Sequence, residues 1–120
     1  MQKTTVKFDF SRSRVLVTGG TSGIGKACAL AFADAGAHVV ITGRDQHRAS
    51  EIVLNQGCSA AGGIHFVPGD VSDSAQCREI VARSVGLLGG LDIVVNSAGI
   101  LYHATAEETT DEQWQQTMNV

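Results

Sequence analysis

Hydrophobic positions along this chain switch between two periods, and each switch marks a predicted element. Val15-Leu16-Val17 is a continuous apolar run of the kind buried on both faces of a sheet, which predicts a first strand over Arg14–Thr18. Ile24, Ala27, Cys28, Ala31, Phe32 and Ala35 then recur at spacings of three and four. They predict a helix over Gly23–Ala35 with that stripe turned inward, ended by Gly36 in a left-handed conformation. Val39–Thr42 reads as a second strand, and Ala49, Ile52, Val53 and Gln56 as a second helix stopped by Gly57. Ser59–Gly63 reads as a loop, and Ile64–Val67 as a third strand ended by Pro68-Gly69. Ser72 or Asp73 can N-cap a third helix whose inner face is Cys77, Ile80, Val81, Val85 and Leu88, terminated by Gly89-Gly90. Leu91–Val95 is a fourth strand, with Ile93-Val94-Val95 again a buried type of run. Thr110 and Gln113 match a capping box that opens a fourth helix, with Trp114 and Met118 on one side.

Strands alternating with crossover helices imply an α/β fold: a doubly wound parallel sheet of Rossmann type, three layers deep. The reading is of one dinucleotide-binding domain over residues 1–120, with a lead-in over residues 1–12. In the strand order 3-2-1-4 of such a sheet, the fourth strand is an edge. The sequence stops just after the fourth helix starts, so the domain reads as incomplete at its C-terminus and is expected to fold poorly by itself.

Composition narrows the partners. A net charge of −3 without a basic patch argues against nucleic acid, and no apolar run approaches membrane-spanning length. Cys28, Cys58 and Cys77 are odd in number and lack a C-x-x-C pair, so they read as small hydrophobes in a reducing, cytoplasmic setting. His38, His47, His65 and His103 have no metal-ligand spacing, and no metal site is expected. The charged, interrupted first fourteen residues do not read as a signal peptide.

Chemistry concentrates where the first strand meets the first helix. Gly19, Gly20, Gly23 and Gly25 permit positive φ and close approach, and a helix N-terminus there offers free N–H groups and positive potential to an anion. The fingerprint G-x-G-x-x-G fits only as Gly23, Gly25 and Cys28, lacking its last glycine. The NTPase phosphate loop fits through Gly20, Gly25 and Lys26, then fails at Ala27, which has no hydroxyl for magnesium. Thr18-Gly19-x-x-x-Gly23-x-Gly25 resembles the T-G-x-x-x-G-x-G turn of the short-chain dehydrogenase/reductase family.

That resemblance implies that Thr18, Gly19, Thr21, Ser22, Gly23, Ile24 and Gly25 cradle a nicotinamide dinucleotide. Asp70-Val71 is similar to the family's adenine-binding pair, the carboxylate accepting from the exocyclic amine. Asn96-Ser97-Ala98-Gly99 resembles its N-N-A-G motif, implying roles for Asn96, Ala98 and Gly99 at the nicotinamide-ribose end, with Ser97 as a departure. After the second strand, Gly43 stands where an NAD binder places its ribose acid, and Arg44 follows. NADP(H) is therefore favoured over NAD(H), while Asp45 reads as the start of the second helix.

The family's acid–base chemistry uses a Ser with a Y-x-x-x-K pair, and this chain has no such set. Four residues after Tyr102 stands Ala106, Asn119 lies two short of the family's catalytic Asn, and Ser97 has no nucleophile elbow. No catalytic residue is expected within the chain. The reading is the cofactor half of an oxidoreductase that moves a hydride between a nicotinamide and a small carbonyl or alcohol substrate, inactive as these 120 residues alone. Full-length members of the family are typically dimers or tetramers. The alternative is a stand-alone nucleotide-binding module without catalysis.

Overall fold

A computed structural model, described over residues 3–56, 58–59 and 62–120, places five strands in one sheet. They are β1 (Arg14–Thr18), β2 (His38–Gly43), β3 (Cys58–Ser59), β4 (Gly62–Pro68) and β5 (Ile93–Asn96), interleaved with α1 (Gly23–Asp34), α2 (Gln46–Gln56), α3 (Ser74–Leu88) and α4 (Asp111–Met118). The order across the sheet is β3-β4-β2-β1-β5. β4, β2, β1 and β5 are mutually parallel, as the alternation of strand and helix requires, and β3 adds an antiparallel edge.

Alternation along β1 sorts the core onto two faces. Val15 and Val17, with Val39, Ile41 and Ile64, pack against Ala29 of α1 and Ala49 and Ile52 of α2. Leu16, Val40 and Val67 turn the other way and meet Ile80 of α3. Each such side chain, taken fully from water, contributes roughly 1.5–3 kcal/mol before entropy is counted. This is the doubly wound arrangement expected of the pattern, and it brings the carboxyl ends of β1, β2, β4 and β5 to one edge.

The structure corrects four local expectations. The inward face of α1 is Gly25 and Ala29, while Ala27 and Ala31 are exposed and Ile24 is 79% exposed. At the helix start the cause is close packing: a Cβ on Gly25 would overlap the Gly19 carbonyl oxygen, so the smallest residue faces the sheet there, while Leu30, Phe32 and Ala33 pack half-buried against the core further along. On α3, Ile80 and Ser84 are buried and Val81 and Val85 are exposed. Ser84 is accommodated because its hydroxyl donates to the Ile80 carbonyl at 2.7 Å. The expected loop Ser59–Gly63 holds the end of β3 and the start of β4, whose two-residue pairing rests on backbone bonds that no side-chain pattern announces. Ala60, Ala61 and the helix stop at Gly57 lie outside the described residues. β5 starts at Ile93, not Leu91, and its apolar run is half open: Val94, which pairs with Leu16 at the edge of the sheet, is 51% exposed.

Other terminators lie where the sequence puts them. Gly36 has φ 93°, its N–H donates to the Ala33 carbonyl, and the Ala37 N–H donates to Phe32, both at 3.0 Å, a Schellman stop. Asp73, rather than Ser72, caps α3 by accepting from the Ala75 and Gln76 N–H groups. Thr110 and Gln113 form both halves of the capping box of α4. That helix is otherwise exposed, with Trp114 60% accessible.

Candidate nucleotide site

The glycine turn is built by exclusion. Gly19 has φ 64°, and a Cβ there would lie 2.8 Å from the Ala98 backbone. Gly23 has φ 56° with open space around it. Gly19, Gly25 and Ala98 thus bring the β1 turn, the start of α1 and the segment after β5 into backbone contact. Thr18 completes the join: its hydroxyl oxygen accepts the Ser97 and Ala98 N–H groups at 3.2 and 3.3 Å. Ser22 is the N-cap of α1, yet its side chain accepts no bond from the first turn, and no acidic residue lies there. The N-termini of α3 and α4, by contrast, are closed by Asp73 and Thr110.

This turn forms one wall of a cleft of about 240 Å³ at the carboxyl edge of the sheet. Gly19, Thr21 and Ser22 line it from β1, and Thr42, Gly43, Arg44 and Asp45 from β2. Gly69, Asp70 and Val71 line it from β4, and Ala98, Gly99 and Ile100 from the segment after β5. Of the residues singled out in the sequence, the cleft therefore gathers Gly19, Thr21, Ser22, Arg44, Asp70, Val71, Ala98 and Gly99. Gly23, Ile24 and Gly25 begin α1 and are not among the residues that line the cleft. Thr18 and Asn96 line instead a separate apolar cavity on the α3 side, with Leu16, Ile80 and Val94.

Thr42, Gly43, Gly69 and Ile100 line the cleft without having been singled out as ligand contacts. Gly69 carried a signal in the Pro68-Gly69 turn, and a Cβ there would press on Ile80. Thr42 carried none: it is fully buried, and its hydroxyl has no hydrogen-bond partner among the described residues. Asp45 starts α2 as expected, its carboxylate accepting the Arg48 N–H at 3.1 Å and pairing with the Arg48 guanidinium at 3.2 Å.

The cleft is polar at its β4 end. Asp70 Oδ1 accepts the Ser72 hydroxyl at 2.7 Å and the Ser72 N–H at 2.9 Å. These two bonds, with a smaller contribution from the Arg44 charge, hold the Asp70 carboxyl below the usual carboxylate range. Tyr102 donates its hydroxyl to Gln116 Oε1 and is exposed, and Asn119 caps the end of α4.

A strand, a glycine turn and an uncapped helix at the carboxyl edge of a doubly wound sheet define a Rossmann-type α/β domain. Within that class the chain belongs to the short chain dehydrogenase family, whose profile matches residues 13–120. It is 39% identical over 115 residues to an uncharacterized oxidoreductase of Thermotoga maritima, which covers 93% of this chain and 43% of that protein. It is 40% identical over 114 residues to an L-fucose dehydrogenase of Mus musculus, 92% of this chain and 39% of that one. A crystal structure of a short chain dehydrogenase from Burkholderia cenocepacia in complex with NADP superposes with a TM-score of 0.84 at 34% identity, over 92% of this chain and 45% of that one. The chain spans about two fifths of the length of the curated relatives it matches.

Proposed function

We propose that residues 13–120 form the dinucleotide-binding half of an oxidoreductase that prefers NADP(H). The observation that carries this reading is the glycine turn, with Gly19 packed so tightly on the Ala98 backbone that no Cβ fits, beside a helix start whose N-cap side chain leaves its N–H groups open. That combination suits a pyrophosphate. Asp70, with Val71, suits the adenine end, and Ala98 and Gly99, with Asn96 nearby, the nicotinamide ribose.

The preference for the 2′-phosphate rests on β2. Gly43 supplies no carboxylate, and any side chain there would crowd Thr21, whose side-chain atoms lie 3.1–3.2 Å from the position of a Cβ. Arg44 lies on the cleft wall, where a planar guanidinium meets a phosphate with charge-assisted bonds. When bound, the nicotinamide supplies hydride to or from a small carbonyl or alcohol substrate. The proton step falls to residues outside these 120, since Tyr102 has Gln116 as its partner and Ala106 where a lysine would be needed. The same reading carries a cytoplasmic homo-oligomer that needs neither metal nor nucleic acid.

Titration of the purified chain with NADPH and NADH, followed by nicotinamide fluorescence, tests it. NADPH is expected to bind more tightly, and Arg44→Ala to weaken NADPH by about ten- to a hundredfold while NADH changes by less than about threefold. Equal loss for both removes Arg44 from the phosphate site. Binding of neither by an unaltered chain that melts cooperatively removes the dinucleotide reading.

A further inference from the structure

The site as proposed uses Asp70 but says nothing of what holds it. Ser72 occupies one carboxylate oxygen, Oδ1, with both its N–H and its hydroxyl. The Asp70 N–H donates to Gln76 Oε1 at 2.8 Å, and Gln76 Nε2 donates to Asp73 Oδ2 at 3.2 Å. Asp73 is itself tied to the first turn of α3 through the Ala75 N–H at 2.9 Å. The backbone of Asp70 is therefore anchored to the first turn of α3 through Gln76, and its carboxylate to Ser72 in the turn that leads into that helix. Among the described residues no hydrogen bond reaches Oδ2, and Asp70 lines the cleft.

A carboxylate with one oxygen spent and the other open is a directional acceptor with no proton to give. Its acidity agrees, since the Ser72 bonds and the Arg44 charge favour the ionised form, and the Asp73 carboxylate is the like charge nearby. Such an atom pairs with a donor and leaves an acceptor opposite it unsatisfied. Adenine offers an amine at its six position, and hypoxanthine offers a carbonyl there with a ring N–H beside it. A carboxylate free to swing can re-aim at that N–H; one clamped at two points cannot.

We propose that Ser72 and Gln76 are positioning residues that clamp Asp70 as an acceptor-only probe of the base, so that the cleft selects adenine over hypoxanthine dinucleotides. The inference rests on the dinucleotide reading above and goes one step further, from where the base sits to how it is discriminated.

The experiment compares affinities for NADPH and for its hypoxanthine analogue in the unaltered chain and in Ser72→Ala, Ser72→Thr and Gln76→Met, with melting curves for each. The unaltered chain is expected to prefer NADPH by about tenfold or more. Ser72→Ala and Gln76→Met are expected to cut that ratio to less than about threefold, and Ser72→Thr, which keeps the hydroxyl, to restore it. A ratio unchanged in both altered chains, or both ligands lost in equal proportion, overturns the clamp and leaves the dinucleotide reading standing. An unaltered chain that binds NADPH without discriminating overturns the clamp as well. One that binds neither ligand overturns both readings. Gln76→Met keeps the volume of the side chain, so a failure of one variant to fold leaves the other to decide.

Discussion

The turn after β1 and the loop after β4 line one cleft and work by opposite means. From Gly19 to Gly25 the chain succeeds by leaving atoms out: one glycine has its φ in the left-handed region against Ala98, and another has no room for a Cβ beside the Gly19 carbonyl. From Asp70 to Gln76 it succeeds by putting atoms in, with hydroxyl, amide and carboxylate each engaged. A device made of missing atoms fails abruptly, because the first carbon added collides. One made of hydrogen bonds weakens in steps, because each bond is worth a limited amount.

The largest effect that separates the two belongs to Gly25→Val and Gly19→Val. Each is expected to lower dinucleotide affinity by more than about a hundredfold, with a fall in melting temperature, since the new side chain must displace backbone. Gly23→Ala, strained in φ but unobstructed, is expected to lose less. Titration calorimetry on the three orders them. A Gly25→Val chain that binds like the parent ends the distinction between abrupt and graded failure.

Thr18→Val falls between. It keeps the shape and deletes the oxygen that accepts the Ser97 and Ala98 N–H groups, leaving two half-buried donors without that partner. A stability loss of about 1–3 kcal/mol is expected from denaturant unfolding, with a smaller loss of affinity because Thr18 lies behind the cleft wall. If affinity falls as far as in Gly25→Val, Thr18 belongs with the turn itself rather than with its scaffold.

The smallest effect concerns a second carboxylate, outside the cleft. Asp92 accepts the Arg14 side chain at 2.9 and 3.0 Å and the Arg14 N–H at 2.9 Å, which brings its pKa from the ordinary 3.8 down to about 2. A carboxyl depressed in the folded state stabilises that state above its unfolded value. Its contribution is therefore lost as pH falls from near 4 towards 2. Asp92→Asn is expected to flatten that acid limb in melting curves and leave nucleotide binding at neutral pH unchanged. With both side chains more than a third exposed, the effect shrinks further in salt. A change in neutral-pH binding as large as that expected of Ser72→Ala erases the contrast between a carboxylate that holds a strand and one that reads a base.

Much of this was legible in the sequence wherever one residue settles a local question. Gly36 and Gly89 end α1 and α3 with positive φ because only glycine does so without strain. Asp73 and Thr110 cap the helices that follow them because a short oxygen-bearing side chain satisfies the first-turn amides. The strands near the sheet centre were legible as apolar β-branched runs. Less was legible in α1: of the stripe Ile24, Ala27, Cys28, Ala31, Phe32 and Ala35, only Cys28, Phe32 and Ala35 are half-buried, and the fully buried residues are Gly25 and Ala29. Periodicity counts hydrophobicity, whereas a helix start pressed on a strand turn selects for small size. β3 was not legible either, because two backbone-paired residues leave no pattern.

For the site, the glycine turn, the absence of an acid at position 43, the presence of Arg44 and Asp70, and the lack of a Tyr–Lys pair were all readable before any fold was known. These are matters of residue type and short spacing, where local sterics and charge decide. It took the assembled sheet to show that Thr18 holds Ser97 and Ala98 from about eighty positions away, that Arg14 finds Asp92, and that the buried Thr42 hydroxyl has no hydrogen-bond partner among the described residues. Each of these depends on which strand lies beside which. That order, expected from the alternation of strand and helix, buries both faces of β1 at once, but the pairs of side chains it brings together are encoded in no single stretch of chain.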